Sequence, residues 1–297
     1  LATGRGHAWA FPALIAGSSA LAFGPLFVRQ ADVTPLASAF WRLALAAPLL
    51  ALMAAMSGGA KPRGGRGWGL LAVAGLFFAS DIATWHAGIV RTSLANATLF
   101  GNVSSFFFAA WGFIVARAWP GRRFLSAVTM AVLGIGLLLG ESAELSPRNL
   151  TGDLLSIGAA LLYVGYLVII DRERASVAPL PALAVATLAG ACLLGPLAVA
   201  FGQPMLARDW TPLLLLAFGS QVVGQGLIVF AVGHLKPEVS GLGLLTQPVV
   251  AAAIGWGWLG ERPAPVQAVG ALLVLGALVV ARWPNRRPVR ASAEPLG

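Results

Sequence analysis

"GWGLLAVAGLFFASDIATWHAGIV", residues 67–90, holds one acid, Asp81, and no lysine or arginine. As an α-helix it would measure about 36 Å, enough to cross a hydrocarbon core of about 30 Å. The rest of the chain has the same character. Of its 297 residues 58% are hydrophobic and 10% charged, and mean hydropathy is +0.82. A water-soluble domain needs about a quarter of its residues charged, so lipid is the solvent this chain is built for.

Ten apolar runs can be drawn, at about 8–28, 35–56, 67–90, 93–116, 123–140, 152–170, 180–201, 211–232, 238–259 and 265–281. The loops between them are too short for a soluble domain. An all-α polytopic membrane protein of ten transmembrane helices is expected. Thr34-Pro35 and Thr211-Pro212 read as N-cap and first helical residue, and Pro237 and Pro265 as helix starts. Tryptophans at 9, 68, 119, 210, 258 and 283 fall near run ends and read as an interfacial belt. Ala20-Leu21-Ala22 resembles a signal-peptide cleavage pattern, but the apolar run continues through Val28, so an uncleaved first span is expected.

The net charge of +9 orients the chain rather than binding nucleic acid. With the N-terminus cytoplasmic, Arg5, Lys61, Arg63, Arg66, Arg117, Arg122, Arg123, Arg172, Arg174, Lys236, Arg282, Arg286, Arg287 and Arg290 share the cytoplasmic side. Arg29, Arg91, Arg148, Arg208 and Arg262 lie opposite, and Arg42 is inside a helix. This positive-inside bias places both termini in the cytoplasm. The single cysteine, Cys192, lies within a run and reads as a small apolar residue.

The two halves resemble each other at a shift of 142 residues. Val132, Leu133 and Gly134 then fall over Val274, Leu275 and Gly276, and Ala109 and Ala110 over Ala251 and Ala252. Five spans per half is odd, so the halves must run in opposite senses. Two inverted five-helix repeats are expected, at 1–140 and 151–282, followed by a basic cytoplasmic tail at 283–297. Such a plan suits alternating access around a site near the bilayer midplane.

The stretch 244–280, "LLTQPVVAAAIGWGWLGERPAPVQAVGALLVLGALVV", places a proline inside a helix, then a Leu-Gly-Glu terminus, then a helix with Gln and Gly one turn in. Together with Phe40-Trp41-Arg42, it resembles the EamA family of the drug/metabolite transporter superfamily. Phe106 and Trp119 depart from the pattern, standing where the second half has Pro248 and Glu261. The resemblance implies a multi-pass transporter of the bacterial inner membrane that moves small metabolites, with Arg42, Pro248 and Glu261 at family positions. Among its members the chain is most similar to YddG-type exporters of aromatic amino acids.

Polar groups at bilayer depth are the candidate site. An ionised Asp81 costs about 2.5–3.5 kcal/mol there on insertion scales, so it should face a cavity or a partner. Trp85, four residues on, shares its face, whereas His86 lies about 140° around the helix. Tyr163 and Tyr166 are the only tyrosines and fall mid-span on one face of the sixth helix. Asn102, the pair Gln221 and Gln225, and Gln247 complete the candidate lining, with Ser104, Ser105 and Thr246 beside them. Arg42 either reaches the interface, meets a substrate carboxylate or pairs with Asp81. Pro248 frees the carbonyl of Leu244. Each polar group could instead bond helix to helix. The fifth and tenth spans are almost wholly apolar and should lie at the periphery.

Aromatic, amide and hydroxyl walls with few charges fit an amphipathic, net-neutral solute such as an amino acid zwitterion. Export of aromatic or apolar amino acids by a facilitator or exchanger is the leading expectation. A multidrug or lipid-like amphiphile exporter, or flippase, is the alternative. An intramembrane enzyme is remote: the sequence has no nucleophile, metal or phosphate-loop pattern, and no cofactor or metal is expected. The sequence does not fix an oligomeric state, although a monomer is compatible with it.

Overall fold

A computed structural model describes residues 3–139, 146–258 and 264–282. Glu261 and the 283–297 tail lie outside the described residues. Among the described residues all regular structure is helical. The first half comprises α1 (Thr3–Leu21), α2 (Gly24–Gln30), α3 (Pro35–Met56), α4 (Gly64–Ile89), α5 (Leu94–Gly101), α6 (Val103–Ala116) and α7 (Arg122–Leu139). The second comprises α8 (Leu150–Glu173), α9 (Pro179–Ala200), α10 (Thr211–Leu214), a π-helical stretch (Leu215–Gln225), α11 (Gly226–Val232), α12 (Pro237–Leu244), α13 (Thr246–Trp258) and α14 (Pro265–Arg282).

Seven stretches are long and apolar enough to cross a membrane: Ala8–Gln30, Pro35–Met56, Gly64–Ile89, Asn96–Ala116, Leu150–Glu173, Pro179–Ala200 and Thr211–Val232. Three expected runs are not among these seven. The helices α7 and α14 have 18 residues each, and α7 opens on Arg122 and Arg123. Between α12 and α13 the ninth run is broken at Leu245.

Local chemistry explains several boundaries. Thr34 caps α3, its hydroxyl accepting from the Ala37 amide at 3.4 Å. The expected cap at Thr211 is displaced: Thr211 is the first residue of α10, and Asp209 Oδ1 accepts its amide at 2.9 Å. That bond and one with the Thr211 hydroxyl hold the exposed Asp209 carboxyl below its usual pKa. Pro237 and Pro265 open α12 and α14 as read.

The fourth run is broken as well, between α5 and α6, with no proline present. The Asn102 amide at 3.1 Å and its Nδ2 at 2.7 Å share the Thr98 carbonyl, and the next turn tightens, the Ser105 amide donating to the Asn102 carbonyl three residues back at 3.0 Å. Ser104 Oγ donates to the Gly101 carbonyl at 2.8 Å, and Thr246 Oγ1 to the Gly243 carbonyl at 2.9 Å. Those two bonds are related by the same 142-residue shift found in the sequence.

Packing follows the same relation. The pair α4 with α8 has its counterpart in α1 with the π stretch and α11, and α4 with α9 has its counterpart in α3 with the π stretch. Two further pairs join equivalent helices, α3 with α9 and α7 with α14, and in a third α6 packs on α12, the counterpart of α5. Each runs antiparallel. Phe40 meets Gly195 and Leu43 meets Gly190 along α3 and α9. Gly134 and Gly270 face each other across α7 and α14, where Met130 meets Gly276. The main core joins α1, α3, α4, α8, α9 and α11, whereas α7 and α14 form a second cluster to one side.

Candidate functional site

Where the main core would otherwise close, α1 to α6, α8, the end of the π stretch, α12 and α13 leave a cavity of about 770 Å³, including its mouth. Arg42, Asp81, Trp85, Asn102, Tyr163, Gln225 and Gln247 line it. These come from six separated runs of sequence. Thr98, Ser104 and Ser105 add hydroxyls, and Phe78 an aromatic wall.

Arg42 does not reach an interface. It is 3% exposed, and its Nε donates to Gln221 Oε1 at 3.2 Å. Gln221 Nε2 in turn donates to Thr187 Oγ1 at 3.0 Å, which fixes the amide orientation. The guanidinium carbon stands 5.9 Å from the centre of the Phe78 ring, within cation–π range. Thr187, Gln221 and Phe78 therefore aim the guanidinium from three helical segments. Gln221 is a holder of Arg42 and does not line the cavity.

Asp81 is half-buried on the same cavity and forms no ion pair with Arg42. The ion pair recorded among the described residues is Arg174 with Asp171, at 3.3 Å. Opposite charges thus face one space without closing on each other. Trp85 Nε1 and Ser105 Oγ are buried at this wall without a protein partner.

His86, by contrast, faces away. Its Nδ1 is 2.8 Å from Ser38 Oγ, and that hydroxyl donates to the Pro35 carbonyl at 2.9 Å. With the hydroxyl proton so engaged, Nδ1 carries the ring hydrogen and donates to Ser38. His86 ties α4 to α3. Tyr166 is fully buried behind Tyr163 and stacks on Phe78 at 4.6 Å between centroids. Tyr163 and Gln225 approach each other at 3.4 Å, joining α8 to the π stretch across the cavity. Pro248 is buried in the first turn of α13 and does not line the cavity.

Thr98 and Gly101 were not singled out from the sequence. The available signal was the 142-residue shift, which sets Gly101 and Ser104 over Gly243 and Thr246. Among the described residues no group of three or more His, Cys, Asp or Glu could hold a metal ion. The donors present suit a small organic solute instead.

Residues 8–140 and 150–283 match the EamA-like transporter family. The chain belongs to the EamA-like transporter family. EamA-like proteins and their relatives are transporters and not enzymes, and this chain is a multi-pass inner-membrane protein. It is similar to the threonine/homoserine exporter RhtA of Escherichia coli K12, 31% identical over 170 residues. That match covers 56% of each chain, so this chain spans about half the length of that relative. An uncharacterized transporter of Archaeoglobus fulgidus is 26% identical over 83% of this chain and 87% of its own. The transporter YwfM of Bacillus subtilis is 25% identical over 76% and 78%. A solved crystal structure superposes with TM-score 0.76 at 18% identity, over 94% of this chain and 99% of that one, a likeness of fold.

Proposed function

We propose that this EamA-like protein exports neutral amino acids by alternating access, as a facilitator or exchanger. The observation that carries this reading is the unpaired opposition of Arg42 and Asp81 on one cavity wall system. A zwitterion supplies a carboxylate for the guanidinium and an ammonium for Asp81, so each charge gains a counter-charge when substrate is bound. Hydroxyl and amide groups of Thr98, Asn102, Ser104 and Gln247 suit a polar side chain such as that of threonine or homoserine. The similarity to RhtA supports that choice. Phe78, Trp85 and Tyr163 favour the second reading, an aromatic or apolar amino acid.

Counterflow of labelled threonine, phenylalanine and a sugar into proteoliposomes tests this. We expect amino acid exchange without sugar exchange, unaffected by a pH gradient. Asp81→Asn should slow it at least tenfold by removing the ammonium contact. Sugar movement without amino acid movement would overturn the substrate class. A requirement for the gradient would make the mechanism proton-coupled.

The same reading takes the ten runs as ten spans, divided as inverted repeats at 1–140 and 151–282, with both termini and the basic 283–297 tail cytoplasmic. Antiparallel packing of α3 with α9, α6 with α12 and α7 with α14 supports the inversion. In a Cys192→Ser background, a cysteine at position 63 should react only from the cytoplasmic side and one at 208 only from the outside. Labelling of both from one side would refute the topology.

A further inference from the structure

Arginine is scarce on the face opposite the basic one, yet three of the five found there converge. Arg29 at the end of α2, Arg91 after α4 and Arg148 before α8 line one open pocket with Val90, Thr92 and Thr151. Its lining contains no acid. Arg29 is anchored from below, one terminal nitrogen donating to the Ile89 carbonyl at 3.2 Å and the Thr92 carbonyl at 3.0 Å. Arg91 is anchored by the Ala87 carbonyl at 2.8 Å. A guanidinium has five N–H groups, so each retains donors for a ligand.

The carboxylate behind this pocket forms no ion pair with the three arginines and is held by neutral groups. Asp153 is 6% exposed, and its Oδ1 accepts from Thr92 Oγ1 at 2.6 Å and Asn96 Nδ2 at 2.9 Å. The first turn of α8 opens at the pocket and adds the positive end of a 24-residue helix.

A second observation fixes the kind of anion. Below the arginines, Leu150, Leu154 and Leu161 on α8 are 55%, 59% and 50% exposed. Spaced by four and seven residues, they form one apolar stripe running down the helix from the pocket. Val90 on the rim is 50% exposed. A soluble phosphate or carboxylate would use the arginines and ignore the stripe. A phospholipid uses both.

We infer that this pocket is a headgroup site for an anionic phospholipid whose acyl chain lies along α8. Arg29 and Arg91 belong to the first half and Arg148 to the segment that leads into α8, so the bound lipid bridges the first half and the start of the second.

Native mass spectrometry of the purified full-length protein tests the site, with phosphatidylglycerol and phosphatidylcholine of identical acyl chains. We expect phosphatidylglycerol to be retained at least tenfold better, through one tight site. R91Q/R148Q, which leaves the Arg29 anchor in place, should reduce that preference to about twofold while the protein stays monodisperse. Phosphatidylglycerol with a photoreactive acyl chain should label residues 150–161. Equal retention of the two lipids, an unchanged preference in R91Q/R148Q, or labelling elsewhere would overturn the proposal. Displacement by glycerol phosphate at equal concentration would show a soluble-anion site instead.

Discussion

We expect Arg42→Gln to abolish amino acid counterflow, with a loss of about 100-fold in kcat/KM. Truncating one member of a buried, hydrogen-bonded charge contact costs about 2–5 kcal/mol, and here the lost partner is the substrate carboxylate. Arg42→Lys should fail almost as badly, because an ammonium cannot keep the Nε bond to Gln221 and present a planar fork to a carboxylate. Thr187→Val is the graded control. It removes the hydroxyl that orients Gln221, worth about 1 kcal/mol, and should raise KM about fivefold with kcat unchanged. Proteoliposome kinetics on protein of unaltered thermal stability would check all three. Counterflow within twofold of wild type in Arg42→Gln would make the arginine a structural ligand of Gln221.

Gly75→Leu should produce the largest loss of stability. A Cβ at that position would stand 2.9 Å from the Ala189 Cβ and 3.0 Å from the Ala186 carbonyl carbon, with the Ala186 oxygen closer still. The obstacle is backbone of α9, which cannot rotate away, so α4 and α9 must separate. Overpacking of a tight core costs about 1–3 kcal/mol or more, and the α4–α9 contact also sets the position of Asp81. Gly69, on the same helix, has nothing within 4 Å of its Cβ direction. Gly69→Leu should therefore leave the melting temperature and size-exclusion profile unchanged while Gly75→Leu yields no monodisperse peak. Equal behaviour of the two variants would refute this account of the α4–α9 packing.

Much of this was legible in the residues themselves. Hydropathy marked the helices, and the 142-residue shift already contained the pairing of Ser104 with Thr246 that structure turns into matched helix breaks. Asp81, Trp85 and Tyr163 could be set near a cavity because burying them in lipid is costly. Which of two polar neighbours faces that cavity was not legible. Gln221 and Gln225 share a sequence spacing, but one holds Arg42 and the other meets Tyr163, because different helices stand opposite each, and a one-helix pattern does not contain those partners. The helical angle sets His86 on a different face from Asp81, but its Ser38 partner, 48 residues away, is not legible from spacing. The break after Gly101 was hidden because no proline marks it: the Ser105 amide turns to the Asn102 carbonyl and the Ser104 hydroxyl takes the carbonyl of Gly101.

The matched breaks carry one more consequence. In this state α6 packs against α12, while α5 and α13 make no comparable contact and instead flank the cavity, through Thr98 and Gly101 on one side and Gln247 and Ala251 on the other. Exchanging the halves of the chain turns the α6–α12 pair into α13–α5. The molecule's departure from its own symmetry is thus concentrated in a single crossing of two bent rods, shut at one end and parted at the other. In the alternating access proposed above, the same rods with that choice reversed would close the present mouth and open the opposite face.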